Sequence, residues 1–235
     1  YKNSLGNRIV FEEINHTLGL TFLYSWQASA KYGFVKKTKL LNHSGKELNI
    51  KLIDGLRNIL PAGVGLRTQQ EMSNLANAYK ISECNSDYNY ALYYMNALLM
   101  DKPDPGESLF SNIVWSYSNE NIQLSVNEKS ISTFLSNNYF EKDYLLKGKE
   151  GSFLNYIHKP LLPGHEMIWY IVADVQKSQS DISAIISDLK ENDCIEEKLE
   201  KSLADNYNAF EKNIGMADGF QCTNIDMNDL HHTAN

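Results

Sequence analysis

Hydrophobic and polar residues alternate along most of residues 1–176, and a period of two is typical of half-buried β-strands. The clearest case is the run 18–26, where Leu18, Leu20, Phe22 and Tyr24 share one face and the other face is mixed. The other runs that predict strands are 8–14, 31–41, 48–53, 87–100, 113–118, 122–126, 152–158 and 165–175. An amphipathic helix also fits residues 87–100. The pattern predicts roughly ten or more strands.

Residues 51–79 form the stretch around which we expect the chain to be organised. The runs 31–41 and 48–53, joined by turn-forming residues 42–45, predict a β-hairpin that leads into a compact turn at Asp54-Gly55. Thr68 and Glu71 then have the spacing of a capping box, which predicts a helix start. One apolar stripe follows at helical spacing, made of Met72, Leu75, Ala76 and Tyr79.

From Ser178 the hydrophobic period changes from two to 3.6, which predicts two helices separated near Asn192-Asp193. A short helix is also expected at residues 130–136. We divide the chain into a β domain at 1–176, a helical linker or hairpin at 177–214, and a tail at 215–235. This order favours an α+β layout or an all-β domain with a helical linker over a doubly wound fold.

Charge and composition exclude several classes of function. The net charge of −7 argues against a nucleic-acid partner, and no apolar run approaches the roughly 20 residues of a membrane span. Three distant cysteines, Cys84, Cys194 and Cys222, suit a reducing compartment, so we expect a cytoplasmic protein without a disulfide framework. Because the chain begins at Tyr1 and not at methionine, we expect it to be part of a longer protein.

Candidate chemistry is sparse. No G-x-S-x-G elbow, regular metal-ligand spacing or dinucleotide fingerprint occurs, so no cofactor or metal is expected. Two of the three arginines, Arg57 and Arg67, lie in the organising stretch, where a planar guanidinium suits carboxylates, phosphates or sugar hydroxyls. Surface ion pairs are the alternative for both. The three tryptophans offer either sugar-stacking platforms or ordinary core; they are Trp26, Trp115 and Trp169.

A set of short motifs resembles the β-sandwich region of very large bacterial proteins related to cellobiose and chitobiose phosphorylases. These motifs are Tyr24-Ser25-Trp26, Tyr32-Gly33-Phe34-Val35-Lys36, Asn42-His43-Ser44-Gly45, Asp54-Gly55-Leu56-Arg57-Asn58-Ile59-Leu60-Pro61, Ser73-Asn74-Leu75 and Trp169-Tyr170-Ile171-Val172-Ala173-Asp174. Residues 229–235 resemble the join to the family's next domain.

The resemblance implies a mainly β fold: a two-sheet antiparallel supersandwich, similar to galactose-mutarotase-like domains, with an inserted capped helix and a C-terminal helical linker. In that family the catalytic acid belongs to a downstream helical barrel, so no catalytic residue is carried over. The expected partners are that catalytic domain of the same polypeptide, an oligosaccharide, and a second copy in a homodimer.

Five residues are therefore candidates for a carbohydrate or domain interface: Trp26, Asp54, Arg57, Asn58 and Arg67. The function that we expect is that of a non-catalytic domain in a glycoside phosphorylase-like or hydrolase-like enzyme. One alternative is a free-standing carbohydrate-binding module that uses the tryptophans as platforms. Another is a mutarotase-type epimerase that uses a histidine, His158 or His165, with a carboxylate on the concave sheet.

Overall fold

The computed structural model describes residues 1–97, 106, 108–191 and 194–217, and this part of the chain is mainly β. Its strands are β1 (Arg8–Asn15), β2 (Leu20–Ser29), β3 (Gly33–Asn42), β4 (Leu48–Ile59), β5 (Lys80–Asn85), β6 (Tyr90–Met95), β7 (Ser111–Ser118), β8 (Ile122–Ser125), β9 (Leu145–Lys147), β10 (Gly151–Leu161) and β11 (Glu166–Lys177). Its helices are α1 (Leu66–Glu71), α2 (Ser73–Asn77), α3 (Lys129–Asn137), α4 (Gln179–Lys190) and α5 (Ile195–Met216).

The strands form two antiparallel sheets of unequal width. The large sheet has eight strands in the order β1-β2-β3-β11-β7-β6-β5-β9, and the small sheet has three in the order β4-β10-β8. The predicted fold class, a two-sheet antiparallel sandwich with an inserted helix and a C-terminal helical segment, is confirmed.

Apolar side chains form three clusters: one between the two sheets and one on the outer face of each sheet. The inter-sheet core includes Trp169, Ile171, Phe153 and Ile157, each fully or almost fully buried. On the outer face of the large sheet, α4 and α5 cover a second cluster that contains Trp115. On the outer face of the small sheet, α3 lies over a third cluster. That cluster comprises Phe140, Leu154 and Tyr156, with Ile53, Ile131 and Phe134 packed against it.

The two C-terminal helices follow their sequence pattern. Ser178 and Asp181 form a capping box at the start of α4, because each side chain accepts a hydrogen bond from the other residue's backbone N–H. On α5, Glu196 and Glu200 accept hydrogen bonds of 3.0 and 2.7 Å from the Tyr170 hydroxyl of β11. Burial and these two carboxylates raise the pKa of Tyr170 strongly, so its proton stays in place and holds α5 to the sheet.

The predicted β-hairpin at residues 31–53 is wrong. β3 pairs with β2 and β11 in the large sheet, whereas β4 pairs with β10 in the small sheet. The turn between them therefore carries the chain across the sandwich. Its anchor is Asn42, whose fully buried side chain donates hydrogen bonds of 2.8 Å to the carbonyl oxygens of Lys46 and Leu161.

The predicted compact turn at Asp54-Gly55 is also wrong, since β4 continues through both residues to Ile59. Gly55 lies opposite Leu154 of β10, and a Cβ atom built on it would stand 2.0 Å from the carbonyl oxygen of Phe153. Glycine is required here because two strand backbones approach closely, which is its other common role in β-structure. Asp54 remains in the strand because its side chain is engaged between the sheets.

The predicted capping box at Thr68 and Glu71 does not form. Helix α1 begins after Gly65, which has no side chain to cap it, so Thr68 lies inside the helix. The Glu71 carboxylate instead accepts a hydrogen bond of 2.9 Å from Arg67. The helix is interrupted at Met72, which separates α1 from α2. Of the four residues in the predicted apolar stripe, only Ala76 is buried. The inserted helix is thus two short helices in place of one.

Several boundaries differ from the prediction. β5 was not predicted, because its inward side chains include the polar residues Lys80 and Ser82, which break the alternation of apolar residues. β9 was also not predicted, and residues 98–100 of the predicted strand 87–100 lie outside the described residues. Residues 218–235, most of the predicted tail, also lie outside them, and the domain boundaries stay predictions. Among the described residues, no helix combines the length and apolarity needed to cross a membrane.

Candidate functional site

The first candidate residue, Asp54, forms an ion pair between the two sheets. Its Oδ1 atom pairs with the Lys36 ammonium of β3, while its Oδ2 atom accepts hydrogen bonds from Trp169 Nε1 at 2.7 Å and Thr38 Oγ1 at 3.4 Å. The side chains of Asp54 and Lys36 are only 12% and 9% exposed. This inter-sheet ion pair joins β4 of the small sheet to β3 and β11 of the large sheet.

Both oxygens of the Asp54 carboxylate are therefore occupied by partners within the protein. The lysine ammonium also lies 5.1 Å from the centre of the Tyr24 ring, a cation–π contact that further holds it in place. Opposite Asp54 on β10, the fully buried Asn155 accepts a hydrogen bond of 3.2 Å from Ser116. The arrangement holds the two sheets in register and leaves Asp54 unsuited to act as an acid or a base.

Trp26 lies beside this ion pair, on the inner face of β2 directly opposite Lys36. It is partly exposed, and Phe11 on the neighbouring strand β1 is 46% exposed, so this part of the inner face is open to solvent. On the same open face the rings of Phe11 and Tyr24 stack with centroids 4.8 Å apart. The two remaining tryptophans, Trp115 and Trp169, are fully buried and belong to the core, so they are not sugar-stacking platforms.

Arg57 and Asn58, at the end of β4, line a cleft of about 430 Å³ that we call the Arg57 cleft. Its other walls are the start of α3 and the segment before β10. Arg57 forms an ion pair with Glu128, and both side chains are partly exposed. Asn58 adopts a left-handed backbone conformation, with φ of 54°, at the irregularity where the pairing of β4 with β10 shifts register between Leu56 and Ile59. The complete lining is Arg57, Asn58, Asn127, Glu128, Lys129, Ile131, Ser132, Leu135, Leu146, Lys149 and Glu150.

One wall of the Arg57 cleft rests on a buried lysine. The Lys80 side chain is only 1% exposed, and its ammonium donates hydrogen bonds to Gln69 Oε1 and, at 3.0 Å, to Glu150 Oε1. Gln69 in turn donates to the same Glu150 oxygen. This triangle fixes α1 and the segment before β10 against β5, and it neutralises one of the two carboxylates in the cleft.

The triangle makes stability depend on pH. The hydrogen bond from Lys80 holds the pKa of Glu150 below its ordinary value of 4.5. A carboxyl with a depressed folded-state pKa stabilises the fold above its unfolded value, and that stability is lost as pH falls through the folded value. We expect Glu150→Gln to cost about 1.5–3 kcal/mol near pH 7, the typical value of a hydrogen bond to a charged group.

The measurement is urea unfolding of both proteins from neutral pH to well below pH 4.5. The gap in unfolding free energy between wild type and variant should narrow as the pH falls. Glu71→Gln, which changes an exposed carboxylate on α1, is the matched control and should cost less than about 1 kcal/mol at neutral pH. A constant gap across the titration would mean that Glu150 does not supply the pH dependence.

Arg67 lies apart from the other candidates. Its side chain is 86% exposed and pairs with Glu71 one helical turn away, so the surface ion-pair interpretation applies to it. The structure thus places Arg57 and Asn58 in one cleft, places Trp26 opposite Lys36, the ion-pair partner of Asp54, and separates these two regions from Arg67. The candidate histidines also lie off the inner faces: His158 points outward from β10 and contacts Asn49 at 3.0 Å, and His165 is exposed in a turn.

Among the described residues, no group of three or more His, Cys, Asp or Glu side chains could hold a metal ion. Sequence reasoning also missed four charged residues that build the two sites: Lys36, Lys80, Glu128 and Glu150. For Lys36 a signal exists, since it is a lysine at an inward position of a predicted strand, where an unpaired charge would be costly. For Lys80 no such signal exists, because β5 was not predicted. For the two glutamates the sequence carries no comparable signal.

Comparison with known proteins finds similarity in solved structures alone. No family model and no curated protein matches the chain. A human-microbiome protein assigned as a kojibiose phosphorylase matches 87% of this chain with 11% identity and a TM-score of 0.45, and the chain spans 23% of that protein. A galactose mutarotase-like protein from Clostridium acetobutylicum matches 72% with 11% identity and a TM-score of 0.30, and the chain spans 62% of it.

Both neighbours are of the kinds that the sequence resemblance names, a glycoside phosphorylase and a mutarotase-like protein. Their low identities and TM-scores assign no activity to this chain.

Proposed function

We propose that this chain is a non-catalytic β-sandwich domain of a multidomain carbohydrate-active enzyme, similar to a glycoside phosphorylase or hydrolase. The observation that carries this proposal is the inter-sheet ion pair. Asp54 is the candidate carboxylate of the inner face, yet Lys36, Thr38 and Trp169 occupy both of its oxygens. A general acid or base must reach the substrate within hydrogen-bond distance, and Asp54 makes its contacts within the protein instead.

The placement of the histidines supports the same proposal over a mutarotase-type enzyme. Such an enzyme needs a histidine and a carboxylate that meet at one sugar ring. His158 lies on the outward face of β10 and His165 in an exposed turn, both away from Asp54. We expect the isolated chain to leave sugar anomerisation, followed by polarimetry, at its uncatalysed rate. An acceleration that His158→Ala or His165→Ala abolishes would overturn the proposal.

The Arg57 cleft is the surface through which we infer contact with an oligosaccharide or with the neighbouring catalytic domain. Sugar hydroxyls both donate and accept hydrogen bonds, and Arg57 and Asn58 project toward the same space. The resemblance of the chain's motifs to phosphorylase-related proteins supports carbohydrate as the ligand class. Contacts in a homodimer and a cytoplasmic location stay predictions.

Titration of the isotope-labelled chain with cellotriose and chitotriose, followed by NMR, tests the cleft. We expect weak binding, with dissociation constants of about 1 mM, and chemical-shift changes confined to the cleft. Arg57→Ala should weaken binding at least about tenfold, because it removes hydrogen bonds from a charged donor. Arg67→Ala removes an equal charge at an exposed position outside the cleft and should leave the affinity unchanged.

Shift changes centred on Trp26 would favour the free-standing binding module instead. That alternative has one observation in its support, the partly exposed ring of Trp26 beside the stacked rings of Phe11 and Tyr24. Equal effects of the two arginine substitutions would remove the Arg57 cleft from the proposal.

A further inference from the structure

We propose that the Arg57 cleft prefers a saccharide that carries a carboxylate or a phosphate over a neutral saccharide. This inference rests on the proposed function, because it names the chemical class of the ligand at the same site. It follows from three features of the cleft: an excess of positive charge, cationic N–H donors that remain available to a ligand, and an apolar floor.

The charges of the cleft do not cancel. Three cations line it, Arg57, Lys129 and Lys149, against two carboxylates, Glu128 and Glu150. Glu128 is paired with Arg57, and Glu150 with the buried Lys80 behind the wall. Among the described residues, Lys129 and Lys149 have no ion-pair partner. A locally cationic cleft in a chain of net charge −7 is therefore matched to a ligand with a negative group.

The hydrogen-bonding groups of the cleft show the same bias. Asn127 accepts a bond of 3.1 Å from the backbone of Lys129 and donates one of 2.8 Å to Asp143. The Ser132 hydroxyl donates to a backbone oxygen at 2.8 Å. Beside the second oxygens of the two glutamates, the cleft thus offers a ligand three cationic donors: the ammonium groups of Lys129 and Lys149 and the remaining N–H groups of the Arg57 guanidinium. Carboxylate and phosphate oxygens are acceptors only, and an arginine fork suits them particularly well.

The apolar floor of the cleft favours a saccharide over a bare anion as the ligand. Ile131, Leu135 and Leu146 contribute apolar surface, and Leu135 is 77% exposed. Such surface can cover the C–H face of a pyranose ring while the charged group reaches the cations. The volume of about 430 Å³ lies within the range of about 300–1,000 Å³ that is usual for small-molecule sites.

The experiment compares three probes by titration calorimetry: digalacturonate, glucose 1-phosphate and neutral cellobiose. We expect both anionic probes to bind at least about tenfold more tightly than cellobiose at low ionic strength, and added salt to weaken only the anionic probes. The double variant Lys129→Ala/Lys149→Ala should lose the preference, so that the anionic probes bind no more tightly than cellobiose.

A matched control is the double variant Lys46→Ala/Lys51→Ala, which removes the same charge at exposed positions outside the cleft. If this control abolishes the preference for anionic probes as fully as Lys129→Ala/Lys149→Ala does, the preference comes from the electrostatic field of the whole protein. In that case the inference is wrong. Equal affinity for all three probes at the cleft overturns the inference and leaves the proposed function standing. Inorganic phosphate is titrated in addition to these three probes, and if it binds as tightly as glucose 1-phosphate, the saccharide part of the inference is wrong.

Discussion

Replacing Asp54 with asparagine should cost about 3–5 kcal/mol of unfolding free energy, the largest effect that we expect from any single change of charge. The substitution removes the anion that faces Lys36, whose side chain is only 9% exposed, and it leaves an ammonium between the sheets without a counter-charge. Breaking a buried ion pair from one side typically has this magnitude, because the desolvation of the remaining charge is no longer offset. Equilibrium unfolding in urea at neutral pH measures it.

Two further variants separate this effect from a general loss of charge. Glu128→Gln breaks the ion pair with Arg57, in which both partners are about half exposed, and should cost no more than about 1 kcal/mol. Asp54→Asn combined with Lys36→Met removes both charges and should recover most of the loss, since an apolar side chain suits the buried position. If Asp54→Asn costs no more than Glu128→Gln, the ion pair does not stabilise the sandwich.

Replacing Gly55 with alanine should destabilise the protein by more than about 3 kcal/mol or prevent folding. The added Cβ atom would lie 2.0 Å from the carbonyl oxygen of Phe153, and this neighbour belongs to the backbone of a paired strand, which cannot rotate away. Overpacking usually costs about 1–3 kcal/mol where side chains can adjust. A contact with a rigid backbone should therefore cost more than this. Thermal unfolding and the yield of soluble protein measure the effect.

Gly215→Ala is the matched control for the glycine prediction. Gly215 lies in α5, and a Cβ atom there meets nothing within 4 Å. Alanine in a helix is favoured over glycine by about 1 kcal/mol, so this variant should be as stable as the wild type or slightly more so. A Gly55→Ala protein that unfolds at the wild-type temperature would mean that β4 and β10 do not approach as closely as described.

Asp54 and Gly55, which are adjacent in β4, also position the Arg57 cleft. Asp54 fixes β4 to the large sheet, and Gly55 allows β4 and β10 to pair closely. Arg57 and Asn58 follow immediately, so their place beside α3 depends on both contacts. Partial loss of the small sheet should therefore reduce ligand binding at the cleft, even though neither Asp54 nor Gly55 lines it.

The spacing of apolar residues along the chain predicted the strands and helices whose formation depends on neighbouring residues. The period of two anticipated most of the strands, and the change to 3.6 after Ser178 anticipated α4 and α5, because each face must bury its own apolar residues. The short helix α3 was likewise predicted. The two-sheet arrangement came from the resemblance of scattered motifs, and it is confirmed.

The errors arose where a local signal has two physical causes. A glycine after an aspartate is typical of a turn, but Gly55 serves the close approach of strands that lie about a hundred residues apart in the chain. Thr68 and Glu71 have capping-box spacing, but the helix begins two residues before Thr68. Nothing in the sequence near these residues distinguishes the two cases.

By itself, the sequence determined most of the strands, the helices α3, α4 and α5, and that Arg57 and Asn58 are neighbours. Only the tertiary structure decided that β3 and β4 belong to different sheets, that Lys36 meets Asp54, and that distant cations and carboxylates share the Arg57 cleft. The reason is physical: hydrophobic periodicity states which face of a strand is buried, whereas the pairing of edges and charges depends on which segments the folded core brings together.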